Sequence, residues 1–215
     1  MKTFAAIDVG SYELAMKIFE ISAKSGIREI DHIRHRIDLG TDTYANGKIS
    51  NERVDELCRV LRDYGEIMKG YRVDAYKAYG TSAIREMDNR MILLDQIAQR
   101  TGITIECISN SEQRFLDYKS IASKGDVFNR IIEKGTAIVD IGGGSTQISL
   151  FDKDTLVTTQ NLRLGVLRLQ EQLGKLNIRP EQNESMLDEI ISSQLSVFKK
   201  LYLKDRVIEN IIVVD

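Results

Sequence analysis

Thr136-Ala-Ile-Val-Asp-Ile-Gly-Gly-Gly-Ser-Thr-Gln-Ile-Ser-Leu-Phe151 runs from an apolar strand pattern into Asp140 and through three consecutive glycines. It leaves along a second β-rich run marked by Ile148, Leu150 and Phe151. Glycine is needed where the backbone takes a positive φ, or where another group comes close to it. The stretch therefore predicts a hairpin whose tip, Gly142, Gly143, Gly144, Ser145 and Thr146, presents backbone N–H groups. Such a concavity suits an anion, phosphate above all. A glycine-rich hairpin without a ligand is the plainer alternative.

An echo near the N-terminus shifts the balance. Phe4-Ala-Ala-Ile-Asp-Val-Gly-Ser11 repeats the plan of apolar run, Asp, one apolar residue, Gly and Ser. Asp8 aligns with Asp140 and Gly10 with Gly142, while Leu14 and Met16 continue outward as Ile148 and Leu150 do. Two copies roughly 130 residues apart predict two similar domains facing each other, each offering an Asp and a glycine turn. A carboxylate beside each turn can hold a divalent cation, because hard cations take oxygen ligands.

The composition sets outer bounds. With 215 residues, 42% hydrophobic and 29% charged, the chain fits one large or two modest soluble domains. A net charge of −2 offers no global field for nucleic acid or an anionic membrane, so neither is expected as a partner. No apolar run approaches the ~20 residues of a membrane span, and Met1-Lys2-Thr3 leads straight into a strand pattern rather than a signal peptide. Cys58 lies on an apolar helix face and Cys107 in an apolar strand, which predicts buried reduced thiols in a cytoplasmic protein.

In chain order, strands are expected at 3–9, 14–22 and 27–37, with His32 and His35 on opposite faces of the third and both surface or structural. Residues 38–47 read as a polar loop. Ser50 caps a helix carrying Val54, Leu57, Cys58, Leu61, Tyr64 and Met68, ended by Gly70. A strand at 73–79, a short helix near Thr81–Arg85, a helix at 89–100 and a strand at 103–108 follow. Ser109 or Asn110 caps a further helix, expected to cross between domains. After the central hairpin come a strand at 156–162, a helix from Gly165, an amphipathic helix over about 181–204 behind Pro180, and a terminal run at 211–215 with no evident partner. The division expected is 1–124 and 125–215, the second part shorter than its counterpart and apparently incomplete.

Five segments, in order and at matching spacing, are similar to those of the exopolyphosphatase/guanosine pentaphosphate phosphatase family. They are Ala6-Ile-Asp-Val-Gly-Ser11, Thr81-Ser-Ala-Ile-Arg85 with Asn89, Ile108-Ser-Asn-Ser-Glu-Gln113, Val139-Asp-Ile-Gly-Gly-Gly-Ser-Thr146 and Leu164-Gly-Val-Leu-Arg-Leu169. The resemblance implies an α/β, actin-like ATPase (ribonuclease H-like) fold of two similar domains around a cleft. It also implies Mg²⁺-dependent hydrolysis of phosphoanhydride bonds in inorganic polyphosphate or a guanosine polyphosphate. Asp8 and Asp140 would position the metal. Gly10, Ser11, Arg85, Gly142, Gly143, Gly144, Ser145 and Thr146 would bind phosphate, and Glu112, Gln113 and Gln147 would stand at the reacting centre. Whether the chain forms a homodimer is left open.

The departures concern chemistry. The family's cleft helix reads Glu-Glu where this chain has Glu112 and Gln113, and its hairpin ends on Glu where this chain has Gln147; Tyr12 and Glu13 replace the family's Asn-Ser. An amide can hydrogen-bond a water but cannot accept its proton. The readings are therefore a hydrolase, a catalytically weakened binding or regulatory homologue, and, less well matched, an actin-like kinase using ATP.

Overall fold

Both hairpins expected from the Asp–Gly motifs form, and each begins a sheet built to the same plan. The computed structural model describes residues 1–122, 125, 130–176 and 179–214. The chain divides into two compact units, Met1–Ser109 and Asn110–Asp215.

In the first unit β1 (Lys2–Val9), β2 (Glu13–Ser22) and β3 (Gly26–Arg36) form an antiparallel meander, extended in parallel by β4 (Ala75–Gly80) and β5 (Glu106–Cys107) in the order β3-β2-β1-β4-β5. The helices are α1 (Leu39–Asn46), α2 (Asn51–Gly70), α3 (Ser82–Arg85) and α4 (Arg90–Thr101). Period-2 alternation puts Ala5, Ile7 and Val9 of β1 and Leu14, Met16 and Ile18 of β2 in the core, against Leu57, Cys58, Leu61 and Tyr64 of α2. Tyr64 also donates to Leu14 O at 3.0 Å, tying α2 to the sheet.

The second unit repeats the plan. Among its elements are α5 (Asn110–Ala122), β6 (Thr136–Ile141), β7 (Thr146–Asp152), β8 (Thr155–Leu162), α6 (Val166–Leu176), α7 (Asn183–Tyr202) and β9 (Asn210–Val214). The sheet order is β8-β7-β6-β9, with β6/β7 and β7/β8 antiparallel and β6/β9 parallel. Ile138 and Phe151 pack with Tyr118 and Ile121 of α5, while Ala137, Ile148 and Leu150 pack with Phe198 of α7. One helix thus covers each face, as the alternation along β6 and β7 requires.

Several expectations change. Residues 38–47 are not a loop: Leu39–Asn46 is helical, begun by Asp38 in the left-handed region (φ 53°). Tertiary contacts hold this short helix, since Leu39 is fully buried and Gly40 N–H donates to Ser11 O at 2.8 Å. Ser50 occupies the N-cap of α2 without capping it, because its hydroxyl donates to Asp42 Oδ2 at 2.6 Å. The strand expected at 103–108 shrinks to Glu106–Cys107, and Cys107 is half-buried whereas Cys58 is buried. The strand expected at 73–79 is Ala75–Gly80. The terminal run pairs with β6 from Thr136↔Asn210 to Asp140↔Val214.

The division at Ser109/Asn110 falls ahead of the expected 124/125 boundary, because α5 packs on the second sheet. Phe115 and Leu116 of α5 are exposed rather than on its packed face. Asn110 opens α5 with its side-chain oxygen buried and without a hydrogen-bond partner, so that oxygen caps nothing. The long helix covers Asn183–Tyr202 behind a 3₁₀ turn at Pro180–Gln182, and Leu201 lies outside its packed stripe.

Candidate functional site

The two motifs occupy equivalent places. Asp8 lies near the end of β1 opposite Ala15, and Asp140 near the end of β6 opposite Gln147. Each following loop closes with the same bond: Gly10 N–H to Glu13 O at 3.0 Å, and Gly142 N–H to Ser145 O at 2.9 Å. Neither glycine takes a positive φ. Gly10 is required by a close approach instead, since a Cβ there would lie 2.8 Å from Glu13 O.

In each unit the start of the helix after the third strand, with the residues leading into it in the first unit, docks on the loop's carbonyls. In the first unit Ile37 and Asp38 N–H donate to Tyr12 O, at 3.1 and 3.0 Å, and Gly40 to Ser11 O. In the second, Val166 N–H donates to Gly142 O (3.2 Å), and Leu167 and Arg168 N–H to Gly143 O (2.9 and 3.4 Å). Arg168 Nε donates to Gly144 O at 2.8 Å. The carbonyls of Gly142, Gly143 and Gly144 are therefore all taken up on the α6 side. A trans peptide sets its C=O and N–H in opposite directions. The N–H groups of Gly143, Gly144 and Ser145 thus point away from α6, a row of three donors of the kind that receives an anion.

Gly165 makes this fit possible. A Cβ there would lie 2.2 Å from Gly144 C and 2.4 Å from Gly143 C and O, so only a glycine admits the loop. Thr146 is engaged elsewhere, its hydroxyl donating to Leu164 O at 2.7 Å.

Ser11 is expected to meet phosphate through its N–H, while its hydroxyl is buried and used within the fold. It accepts from Ala83 N–H at 3.1 Å and hydrogen-bonds Tyr44 OH at 2.7 Å, which in turn meets Ser82 Oγ at 2.8 Å. This network joins the first loop to α1 and α3. Arg85 is half-buried and donates from Nη1 to Ile108 O at 2.7 Å. Burial lowers its pKa from the ordinary arginine value, yet a guanidinium stays charged.

Gln147 is buried and directly opposite Asp140. Side chains directly opposite across an antiparallel pair share a face. Gln147 Nε2 donates to Asp117 Oδ2 at 3.4 Å, and two residues on Ser149 Oγ accepts from Tyr118 OH at 2.6 Å. Asp140, Gln147 and Asp117 therefore share the α5 face of the second sheet. Gln113 stands four residues before Asp117, one helical turn earlier on the same side of α5. Glu112 lies in the first turn of α5 and is exposed. Among the described residues no three His, Cys, Asp or Glu side chains gather as a metal site. His35 pairs with Glu56 at 3.0 Å, in keeping with a structural role. Asp8 and Asp140 are each hard oxygen donors of the kind that a divalent cation takes.

A family model described as the Ppx/GppA phosphatase family matches residues 17–211. The chain belongs to this family. It is 25% identical over 209 residues to the bifunctional 3-dehydroquinate synthase/phosphatase of Fusobacterium nucleatum, covering 92% of this chain and 31% of that protein. It is 27% identical over 180 residues to exopolyphosphatase 2 of Mycobacterium tuberculosis, covering 78% of this chain and 53% of the relative. The solved exopolyphosphatase of Cytophaga hutchinsonii aligns over 100% of this chain and 67% of its own, with a TM-score of 0.80 at 21% identity. The fold is thus the actin-like α/β fold of the Ppx/GppA phosphatases, as the motifs predict. The chain spans about a third of the first relative's length and about half of the second's.

Sequence reasoning missed Asp117 and Tyr44, and gave no role to Arg168 within the segment Leu164–Leu169. A signal for the α1 and α6 docking was present: Leu39-Gly40 and Leu164-Gly165 each follow a third strand, and both leucines are buried.

Proposed function

We propose that this Ppx/GppA member is a phosphoanhydride hydrolase of the cytoplasm, releasing phosphate from inorganic polyphosphate or guanosine pentaphosphate with Mg²⁺. The observation that carries the reading is the row of Gly143, Gly144 and Ser145 N–H groups turned away from α6 beside Asp140. These donors hold phosphate oxygens, as does the Ser11 N–H of the matching loop, whose Gly10 N–H is given to Glu13 O. Arg85, fixed at one end by Ile108 O, offers its remaining donors to a phosphate oxygen. Asp8 and Asp140 would hold the Mg²⁺ ion, which when bound would neutralise charge on the phosphate chain. Glu112 or Gln113 orients the attacking water.

The amides at 113 and 147 favour a second reading, a polyphosphate- or nucleotide-binding regulator of low turnover. General-base loss costs about 10²–10⁴-fold in rate. Phosphoryl transfer tolerates that loss better than acyl transfer does, since its transition state is loose and a glutamine can position water. Phosphate release from polyphosphate, with Mg²⁺ and with EDTA, separates the two. Metal-dependent release supports the hydrolase; binding without release supports the regulator. Absence of both release and binding would overturn the phosphate reading.

A further inference from the structure

We propose that Arg168 is a positioning residue that locks the glycine loop in its donor-presenting form and so sets its affinity for a phosphate chain. The inference rests on the reading of that loop as a phosphate site. The backbone of α6 reaches only the first two glycine carbonyls, through Val166, Leu167 and Arg168 N–H. The third carbonyl, Gly144 O, is held by a side chain, Arg168 Nε at 2.8 Å.

That bond controls one peptide group in particular. Gly144 C=O and Ser145 N–H belong to the same planar unit, so holding the oxygen toward α6 directs the N–H away from it. Glycine on its amino side makes rotation of this peptide cheap when nothing holds it. A charged donor makes the bond roughly twice as strong as a neutral one. It also polarises the peptide, which strengthens Ser145 N–H as a donor.

The first unit lacks this device. Arg168 stands three residues after Gly165; three residues after Gly40 stands Thr43, whose hydroxyl is buried without a hydrogen-bond partner. The side-chain lock thus belongs to the triple-glycine loop.

The test titrates the chain and its variants with tripolyphosphate by calorimetry and follows backbone amides by NMR. Arg168→Ala is expected to bind ~10-fold or more weakly, in proportion to a lost charged hydrogen bond, and to shift the Ser145 amide in the ligand-free protein. Arg168→Lys, which keeps the charge without Nε, should fall between. Arg168→Met keeps the aliphatic stem and replaces the alanine variant should the latter not fold. Binding by the wild type that neither Arg168→Ala nor Arg168→Met weakens beyond twofold overturns this proposal alone. No binding by the wild type overturns the phosphate reading and this proposal with it.

Discussion

Gln147 donates from Nε2 to Asp117 Oδ2 at 3.4 Å, so the buried amide of β7 faces a carboxylate supplied by α5. An acid at 147 would meet that carboxylate directly. The amide at 147 and the acid at 117 thus form a matched pair.

Gln147→Glu is therefore expected to destabilise the second unit by about 1–3 kcal/mol at pH 7. A like charge raises the new carboxyl's pKa in the folded state. A raised acid favours the protonated form, so the deficit grows as pH climbs above the unfolded value near ~4.3 and shrinks below it. Adding Asp117→Asn should recover the loss. Melting temperatures from pH 4 to 8 for the two singles and the double measure this, and equal melting of Gln147→Glu and wild type at pH 7 would refute it.

Turnover follows the same pairing. Gln113→Glu with Gln147→Glu should raise phosphate release only weakly, and Asp117→Asn added to them should raise it further. An unchanged rate in the triple variant would count against the placement of positions 113 and 147 at the reacting centre.

Two glycines separate close approach from mere flexibility. Gly165→Ala forces a Cβ to within 2.4 Å of the Gly143 and Gly144 backbones, and a loss of about 2–4 kcal/mol is expected. Gly65 in α2 has nothing within 4 Å of its added Cβ. Gly65→Ala should stabilise by about 0.5–1 kcal/mol through helix propensity. Denaturant unfolding of both variants reads the contrast, and a similar effect at the two sites would contradict it.

The legible part of the fold was what local pattern dictates. Alternation in β1, β2, β6 and β7, and the Asp–Gly echo, give the two hairpins and their equivalence. The helix Leu39–Asn46 was hidden because its Gly, Thr and Asp composition favours turns; burial of Leu39 and the bond to Ser11 O make it helical. The role of Ser11 was hidden for a related reason. Motif position suggested a ligand, while Ala83 and Tyr44, brought near only by tertiary structure, claim its hydroxyl. Asp117 carries no local pattern, and Arg168 stood in a quoted family segment without a role; the importance of both comes from what α5 and α6 are packed against.

Ser11→Ala should consequently act on stability more than on binding. It removes the acceptor for Ala83 N–H, and a loss of about 1–3 kcal/mol is expected. Tripolyphosphate affinity, which needs the loop's N–H groups rather than this hydroxyl, should change by less than about threefold. Thermal melting and calorimetry on one sample distinguish the effects, and a large affinity loss at unchanged melting temperature would reverse the assignment.

Tyr64 gives a pH signature for the first core. Burial, with a smaller contribution from Glu13, pushes its pKa from the ordinary 10.0 to about 12. The neutral phenol is favoured in the folded state, so its stabilisation is complete below pH 10 and disappears as pH rises through about 12. Relative to Tyr64→Phe, the wild type should lose stability across that window, and parallel pH profiles would contradict it.

The most direct test of the account is an amide map of the wild-type chain titrated with tripolyphosphate and Mg²⁺. The account predicts that the Gly143, Gly144 and Ser145 amides move first and saturate together, with the Ser11 amide following. Saturable shifts confined to other surfaces, with those four amides unmoved, would contradict it.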